Sequence, residues 1–215
     1  MEKVLLHSCC APCSGAVLEW MLANGVQPVV FFSNSNIFPR REYEKRRDEV
    51  ARHCERLGVA FIEDAWDHEG WLAAVRGLED EPERGRRCEA CFALRLARAA
   101  QKCEELGIAR FATTLASSRW KSLEQVDAAG AKAEAARPGA AYWAKNWRKG
   151  GLQARRGEII KAMGFYNQQW CGCEFSARDR LLYGMGRGED VSALEAACGV
   201  RIAGGRAVTE PGGGA

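Results

Sequence analysis

Three cysteines follow the first apolar run of the chain almost without interruption, in the order His7-Ser8-Cys9-Cys10-Ala11-Pro12-Cys13. The run before them, residues 4–6, has the length and composition of a buried strand. After them, residues 14–23 place Val17, Leu18, Met21 and Leu22 on one helical face. The fold must therefore accommodate several thiols at a strand-to-helix corner. A cysteine that merely packs behaves as a small hydrophobe and stands singly on an apolar face, as Cys54, Cys103 and Cys198 do. The other seven of the ten cysteines are grouped, because Cys88-Glu89-Ala90-Cys91 and Cys171-Gly172-Cys173 form two further clusters. Such grouping points to ligands rather than core.

Beyond the first helix the pattern keeps alternating. Residues 27–33 form a second apolar, β-branched run, and residues 42–57 return to helix with Tyr43, Val50, Cys54 and Leu57 in register before Gly58. Residues 59–62 and 110–114 supply two more strands. Between them lie a helical stretch near residues 71–75, a charged loop over 79–87, and a long helix over 88–106 that ends at Gly107. Strands alternating with helices predict a parallel sheet covered on both faces, an α/β fold. From Ser122 the chain turns mainly helical, with an irregular Trp- and Lys-rich stretch over 142–151. The expected division is one α/β domain over residues 1–203, its C-terminal part helical, and a glycine-rich, disordered tail over 204–215.

A chain of 215 residues with 47% hydrophobic content can bury one substantial core. Its opening residues lack the pattern of a secretory signal, and no apolar stretch approaches the roughly 20 residues that span a bilayer. The expectation is a cytoplasmic protein with no membrane contact, where thiols stay reduced and clustered cysteines serve metal or redox chemistry. A net charge of +3 permits a nucleic-acid partner without demanding one. Basic residues collect at Arg40-Arg41, Lys45-Arg46-Arg47, residues 84–87, residues 145–149 and Arg155-Arg156, either to meet phosphates or to form solvated faces.

In an open α/β sheet, ligands bind beyond the C-terminal ends of the strands. A phosphate-gripping loop after Leu6 would need glycines and free backbone N–H groups, whereas Pro12 removes a donor and cysteines occupy the approach, which disfavours a nucleotide there. Cys88 and Cys91, three positions apart, share one face of a helix. With Cys9 and Cys10 they make four thiolates, enough for a four-cysteine iron–sulfur cluster or a tetrahedral zinc, and ligand count does not separate the two. Cys171-Gly172-Cys173 is too tight for an ordinary structural bridge, which favours a redox role over a structural one and leaves a third ligand pair as the alternative.

Several motifs in one order give the chain a family resemblance. They are Leu5-Leu6-His7-Ser8-Cys9-Cys10-Ala11-Pro12-Cys13-Ser14, Asn34-Ser35-Asn36-Ile37 with Pro39 and Glu42-Tyr43, and Glu83-Arg84-Gly85-Arg86-Arg87-Cys88-Glu89-Ala90-Cys91-Phe92. Thr113-Thr114-Leu115 with Ser118 and Lys121, Arg148-Lys149-Gly150-Gly151, and Cys171-Gly172-Cys173-Glu174-Phe175 complete the set. Over residues 4–175 the chain resembles the cobalamin-independent, QueH-type epoxyqueuosine reductases. It departs from the family pattern at Asn146, where an acid is usual, and at Asn167, where Arg is expected.

That resemblance implies an adenine nucleotide α-hydrolase-like α/β fold and the last step of queuosine synthesis on tRNA. The step is removal of the epoxide oxygen from epoxyqueuosine in the anticodon loop, with electrons from an external donor. It further implies that Cys9, Cys10, Cys88 and Cys91 hold a 4Fe-4S cluster, that Cys171 and Cys173 form a redox-active pair, and that an additional mononuclear iron sits beside the cluster, with Cys13 as its candidate contact. His7 is a candidate proton donor because its unperturbed pKa is roughly 6.5; its structural alternative is a strand cap. Tyr43 and Tyr166 are weaker candidates. Trp120, Trp143, Trp147 and Trp170 could stack on an unpaired base, and Trp147, between Asn146 and Arg148, looks least like a core residue. The rival readings are a zinc-stabilised RNA-binding module and a cytosolic thiol–disulfide oxidoreductase.

Overall fold

Val4, Leu5 and Leu6 are wholly buried, as an unbroken apolar run must be when it forms a central parallel strand covered on both faces. In the computed structural model, which describes residues 2–203 and 206–209, this run belongs to β1 (Glu2–His7). β1 pairs in parallel with β2 (Val26–Phe32) on one side and β4 (Arg110–Thr113) on the other. β3 (Ala60–Glu63) adds outside β2, and β5 (Ala141–Tyr142) outside β4. The sheet order is therefore β3-β2-β1-β4-β5, all parallel.

Two helices, α1 (Ala11–Ala23) and α2 (Arg40–Leu57), make the crossovers from β1 to β2 and from β2 to β3. The chain then passes through α3 (His68–Ala74) and α4 (Arg86–Leu106) and re-enters at β4. Right-handed crossovers running first toward one sheet edge and then toward the other place their helices on opposite faces. α1 accordingly packs against α2 and α6 (Leu152–Met163), and α4 packs against α3 and α5 (Leu123–Ala136). This is the covered parallel sheet expected from the alternation of elements.

Some details differ from the sequence reading. α1 is buried from Ala11 through Leu18 rather than along a single face, while Leu22 is 38% exposed. The cause is position, because α1 is sandwiched between the sheet and α6. β5 went unpredicted, since two residues carry no periodicity. Beyond residue 166, α7 (Glu174–Gly186), α8 (Ser192–Cys198) and β6 (Val200–Ala203) enclose a second small core of Trp170, Ala177, Leu181, Leu194, Cys198 and Val200. Within the tail expected to be disordered, Arg206–Thr209 forms β7, antiparallel to β6. The other residues of that tail lie outside the described ones. Among the described residues no helix is long and apolar enough to cross a membrane.

α5 reaches its seat over the sheet edge because Gly130 has no side chain: a Cβ there would run into the Tyr142 ring. Gly157, in α6, has open space around its Cβ position. Gly130→Ala should cost about 1–3 kcal/mol through overpacking, and Gly157→Ala should stabilise by about 0.4–1 kcal/mol. Urea unfolding of the two variants checks both signs, and an unaltered midpoint for Gly130→Ala would contradict this packing.

Candidate active site

β1 and β4 are neighbours whose chains leave in opposite directions, so their C-terminal ends open a crevice at the point where the strand order reverses. The two strands end side by side, His7 opposite Thr113. His7 is completely buried, and both ring nitrogens are used: Nε2 donates to the Ser33 carbonyl at 3.1 Å and Nδ1 accepts from the Thr113 hydroxyl at 2.8 Å. Thr113 in turn accepts from the Leu115 N–H at 3.1 Å. Burial, and after it the Arg95 charge, push the His7 pKa down to about 3. His7 is thus a neutral strut that ties β1, β2 and β4 together beneath the crevice.

Cys9, Cys10 and Cys13 follow directly. Cys10 caps α1, and Pro12 falls in the first turn, where its missing N–H has no partner to lose. The three sulfurs all lie within 4.8 Å of one another, Cys9 and Cys10 at 3.8 Å. Hydrogen bonds from Cys10 and Cys13 hold the Cys9 thiol well below its ordinary pKa. The same sharing raises Cys10. In Cys13 the bond with Cys10 pulls down, but the bond with Cys9 and burial outweigh it and leave the thiol at about 11. Of the three, Cys9 is the thiol that ionises most readily, and the Thr114 hydroxyl donates to its sulfur at 3.3 Å. Gln168 Nε2 donates to the Cys10 sulfur at 2.9 Å.

Cys88 and Cys91 open α4, three residues apart and facing the crevice from the other wall. The Arg84 backbone N–H donates to the Cys88 sulfur at 3.3 Å. Burial, and next the nearby Cys171, raise Cys88 to about 11. Burial followed by Cys171 likewise drives Cys173 well above its ordinary value, with Cys91 adding to it. The Cys171-Gly172-Cys173 turn therefore reaches into the space of Cys88 and Cys91. Its backbone is fixed by the loop after β2 and by α2: the Phe38 N–H donates to the Gly172 carbonyl at 3.0 Å, and Arg46 Nη1 donates to the Cys171 carbonyl at 3.0 Å. Gly172 has φ +137°, and a Cβ there would stand 3.0 Å from Ile37, so no other residue fits the turn without strain. All three cysteines of the first motif, and both of each later one, are unbridged thiols.

Two cations connect the walls. Arg95 lies one turn beyond Cys91 on α4, donates to the Asn34 side-chain oxygen Oδ1 in the loop after β2, and places Nη1 4.0 Å from the Cys91 sulfur. Its charge also reaches Cys9 and His7. Burial opposes the charge of Lys121, but Cys171, Cys9 and Cys13 more than compensate and raise its pKa. Neither cation was assigned a role from sequence. Arg95 is legible in hindsight, because positions 88, 91 and 95 share a helical face. Lys121 sits in a loop whose approach to the cysteines has no local sequence signal.

The expected ligand set is not drawn into one tight group. Among the described residues, Cys9, Cys10 and Cys13 form the one trio of potential ligand atoms within 4.8 Å, while Cys88 and Cys91 stand on the opposite wall. A single tetrahedral ion with bonds of about 2.3 Å has sulfurs roughly 3.8 Å apart, so the Cys9–Cys10 spacing alone suits one metal. A four-iron cluster is a larger body whose ligand sulfurs stand further apart, as on two facing walls. The donor set is all thiol, which selects zinc or iron–sulfur chemistry over hard cations, and the two cations offset the charge that several thiolates bring.

The basic runs resolve into two kinds. Arg46 bonds to Glu42 in the interior, and Arg155 binds Glu19 and Glu158; these serve structure. The tryptophans also divide. Trp143 and Trp147 pack with Trp20, Trp147 at 5.5 Å from each. Trp170 belongs to the second core. Trp120 alone of the four candidates is largely exposed, at 68%.

Residues 4–179 match the family model described as "Epoxyqueuosine reductase QueH". The chain is 43% identical over 189 residues to the epoxyqueuosine reductase QueH of Acinetobacter baylyi, covering 88% of this chain and 87% of that protein. It is 45% identical over 178 residues to the protein of the same name from Histophilus somni, covering 83% and 73%. Among solved structures it is similar to a chain titled a predicted subunit of tRNA methyltransferase from Methanocaldococcus jannaschii. The TM-score is 0.52 at 13% identity, over 88% of this chain and 89% of that one, a likeness of fold alone.

Trp147, expected at the RNA surface, is 1% exposed and belongs to the main core. Its polar neighbours in the sequence misled, because Asn146 accepts the Arg148 N–H in a local turn that buries the ring between them. Trp147→Ala should therefore cost about 3–5 kcal/mol of stability, measured by urea unfolding. Wild-type stability with weakened RNA binding would return Trp147 to the surface role.

Proposed function

From the premise that the chain belongs to the QueH family of epoxyqueuosine reductases, we propose that it removes the epoxide oxygen of epoxyqueuosine in tRNA, using the three cysteine motifs as one redox centre. What supports this reading is that the three motifs are neighbours: Cys173 of the third packs with Cys91 of the second, and Lys121 lies near Cys9 and Cys13 of the first and Cys171 of the third. The chain is an oxidoreductase by family. A zinc-stabilised binding module and a thiol–disulfide oxidoreductase account for the cysteines but not for the membership. The tRNA substrate implies a cytoplasmic setting.

Cys9 and Cys10 on one wall and Cys88 and Cys91 on the other would hold a 4Fe-4S cluster, leaving Cys13 to contact an adjacent iron. When bound, such a cluster supplies one-electron transfer, which no side chain can do repeatedly. Epoxide removal breaks both C–O bonds, takes up two electrons and two protons, and leaves an alkene and water. The Cys171 and Cys173 thiols hold that many electrons and protons, and release them on forming a disulfide that an external donor reduces again.

The remaining residues hold this arrangement in place. Cys9 enters as the ready thiolate, and Arg95 and Lys121 counter the charge that further thiolates add. His7, neutral and doubly bonded, fixes the turn from which Cys9 and Cys10 project. Proton delivery falls to the thiol pair rather than to His7, whose pKa of about 3 leaves it no proton to give near neutrality.

Anaerobic incubation with epoxyqueuosine tRNA and a chemical reductant, followed by nucleoside mass spectrometry, tests the activity; the product must lack one oxygen. Cys171→Ser and Cys173→Ser should each sharply lower turnover while leaving iron and sulfide at wild-type content. Loss of iron in either variant would reassign the pair as ligands.

A further inference from the structure

A groove of about 1110 Å³ lies along α4 and α5, and its lining includes Lys121, the residue that also lies near the cysteines. Its walls carry Arg84, Arg119, Lys121, Lys132 and Arg148 against two carboxylates, Glu89 and Glu124. A further cation, Arg86, is already engaged by Glu81. Among the described residues none of those five makes an ion pair with a carboxylate, in a protein whose other arginines are mostly paired.

Two of the cations, Arg84 and Arg148, are held in place by hydrogen bonds, and Arg119 and Lys132 are exposed beside them. Arg84 sits at φ +67°, a left-handed backbone that a residue with a Cβ adopts only at a cost. In that conformation its N–H bonds to the Cys88 sulfur while its guanidinium donates to the Trp120 and Arg119 carbonyls at 3.0 and 3.3 Å. Arg148 donates to the Lys121 carbonyl at 2.9 Å, and its Nε is buried with no partner. Burial, and then the nearby Arg84, lower the pKa of Arg148, as expected of cations gathered without their counter-ions. Trp120 stands between two groove residues, exposed, with the Arg119 guanidinium 5.5 Å from its ring.

Unpaired cations in a groove suit a polyanion, and an exposed indole beside them suits a base that has left its stack. We infer that the groove receives a single strand of RNA, with Arg119, Lys132 and Arg148 on its phosphates and an unpaired base on Trp120, so that the strand leads to the cysteines past Lys121. A protein partner with an acidic surface would meet the same charges but would have no use for the Trp120 ring. The inference rests on the tRNA reading above and assigns the surface that reading requires.

Fluorescence anisotropy with a labelled anticodon stem-loop RNA tests it without dependence on the metal centre. Trp120→Ala should weaken binding roughly five- to hundredfold, and Trp120→Phe should keep most of the affinity. The double variant Arg119→Ala/Lys132→Ala should flatten the slope of log affinity against log salt by about 1.4, for two lost single-strand phosphate contacts. These side chains lie at the surface groove, so unfolding midpoints should stay at the wild-type value. Affinity and slope unchanged in all three variants, with wild-type turnover of epoxyqueuosine tRNA intact, would overturn the groove and leave the reductase standing. A wild-type protein that neither binds the RNA nor reduces the nucleoside would overturn both.

Discussion

Thiols crowded at one edge of a sheet repel one another as soon as they ionise, and everything around this crevice answers that repulsion. Hydrogen bonding within the tight trio lowers the pKa of Cys9 and raises those of Cys10 and Cys13, so that ionisation favours one sulfur over the others. Arg95 and Lys121 bring positive charge into a space where burial should exclude it. Each cation is itself held, Arg95 by Asn34 of the β2 loop and Lys121 by the field of the sulfurs it neutralises. The geometry depends in turn on the pairing of β1 with β4, which sets His7 against Thr113 and opens the two chain directions from one point. Without that divergence the first cysteine motif would face a helix rather than a crevice.

The third motif reaches the crevice by a different route. Residues after 166 build a small core of their own, and this lobe is tied to the rest of the protein both by an apolar cluster of Cys173 and Phe175 with Trp71, Val75 and Cys91 and by polar contacts around the Cys-Gly-Cys turn. Ser176 donates to Glu83 of the loop before α4, and His68 bonds to Glu174 at 3.0 Å. Arg46 and the loop after β2 grip the turn's backbone. The lobe thus delivers Cys173 into the same buried cluster that seats Cys91 of the second motif.

Much of this was legible in the chain because the strong signals were local. Long apolar runs gave β1 and β2, helical spacing gave α2 and α4, and the grouping of cysteines separated the seven that gather from the three that pack. What the sequence hid was whatever depends on distant neighbours. β5 is too short to show a period, and α1 is covered nearly all round because α6 lies over it. Trp147 has polar neighbours and a buried ring, whereas Trp120 is exposed in a motif that shows no periodicity at all. The cation Lys121 is brought to the sulfurs by the loop after β4, through a turn that no pattern of residue types announces.

If cysteines of the first two motifs together hold one iron–sulfur centre, as proposed, the protein carries iron and sulfide that depend on both motifs. The most direct measurement is iron, sulfide and zinc content, with a visible spectrum, of protein purified without oxygen, for wild type and for Cys88→Ser. Iron with sulfide and a brown chromophore in the wild type, both diminished when one wall loses Cys88, is the predicted result. Zinc without sulfide, persisting after attempted cluster reconstitution and indifferent to Cys88, would contradict the account and leave Cys9, Cys10 and Cys13 as a single-ion site.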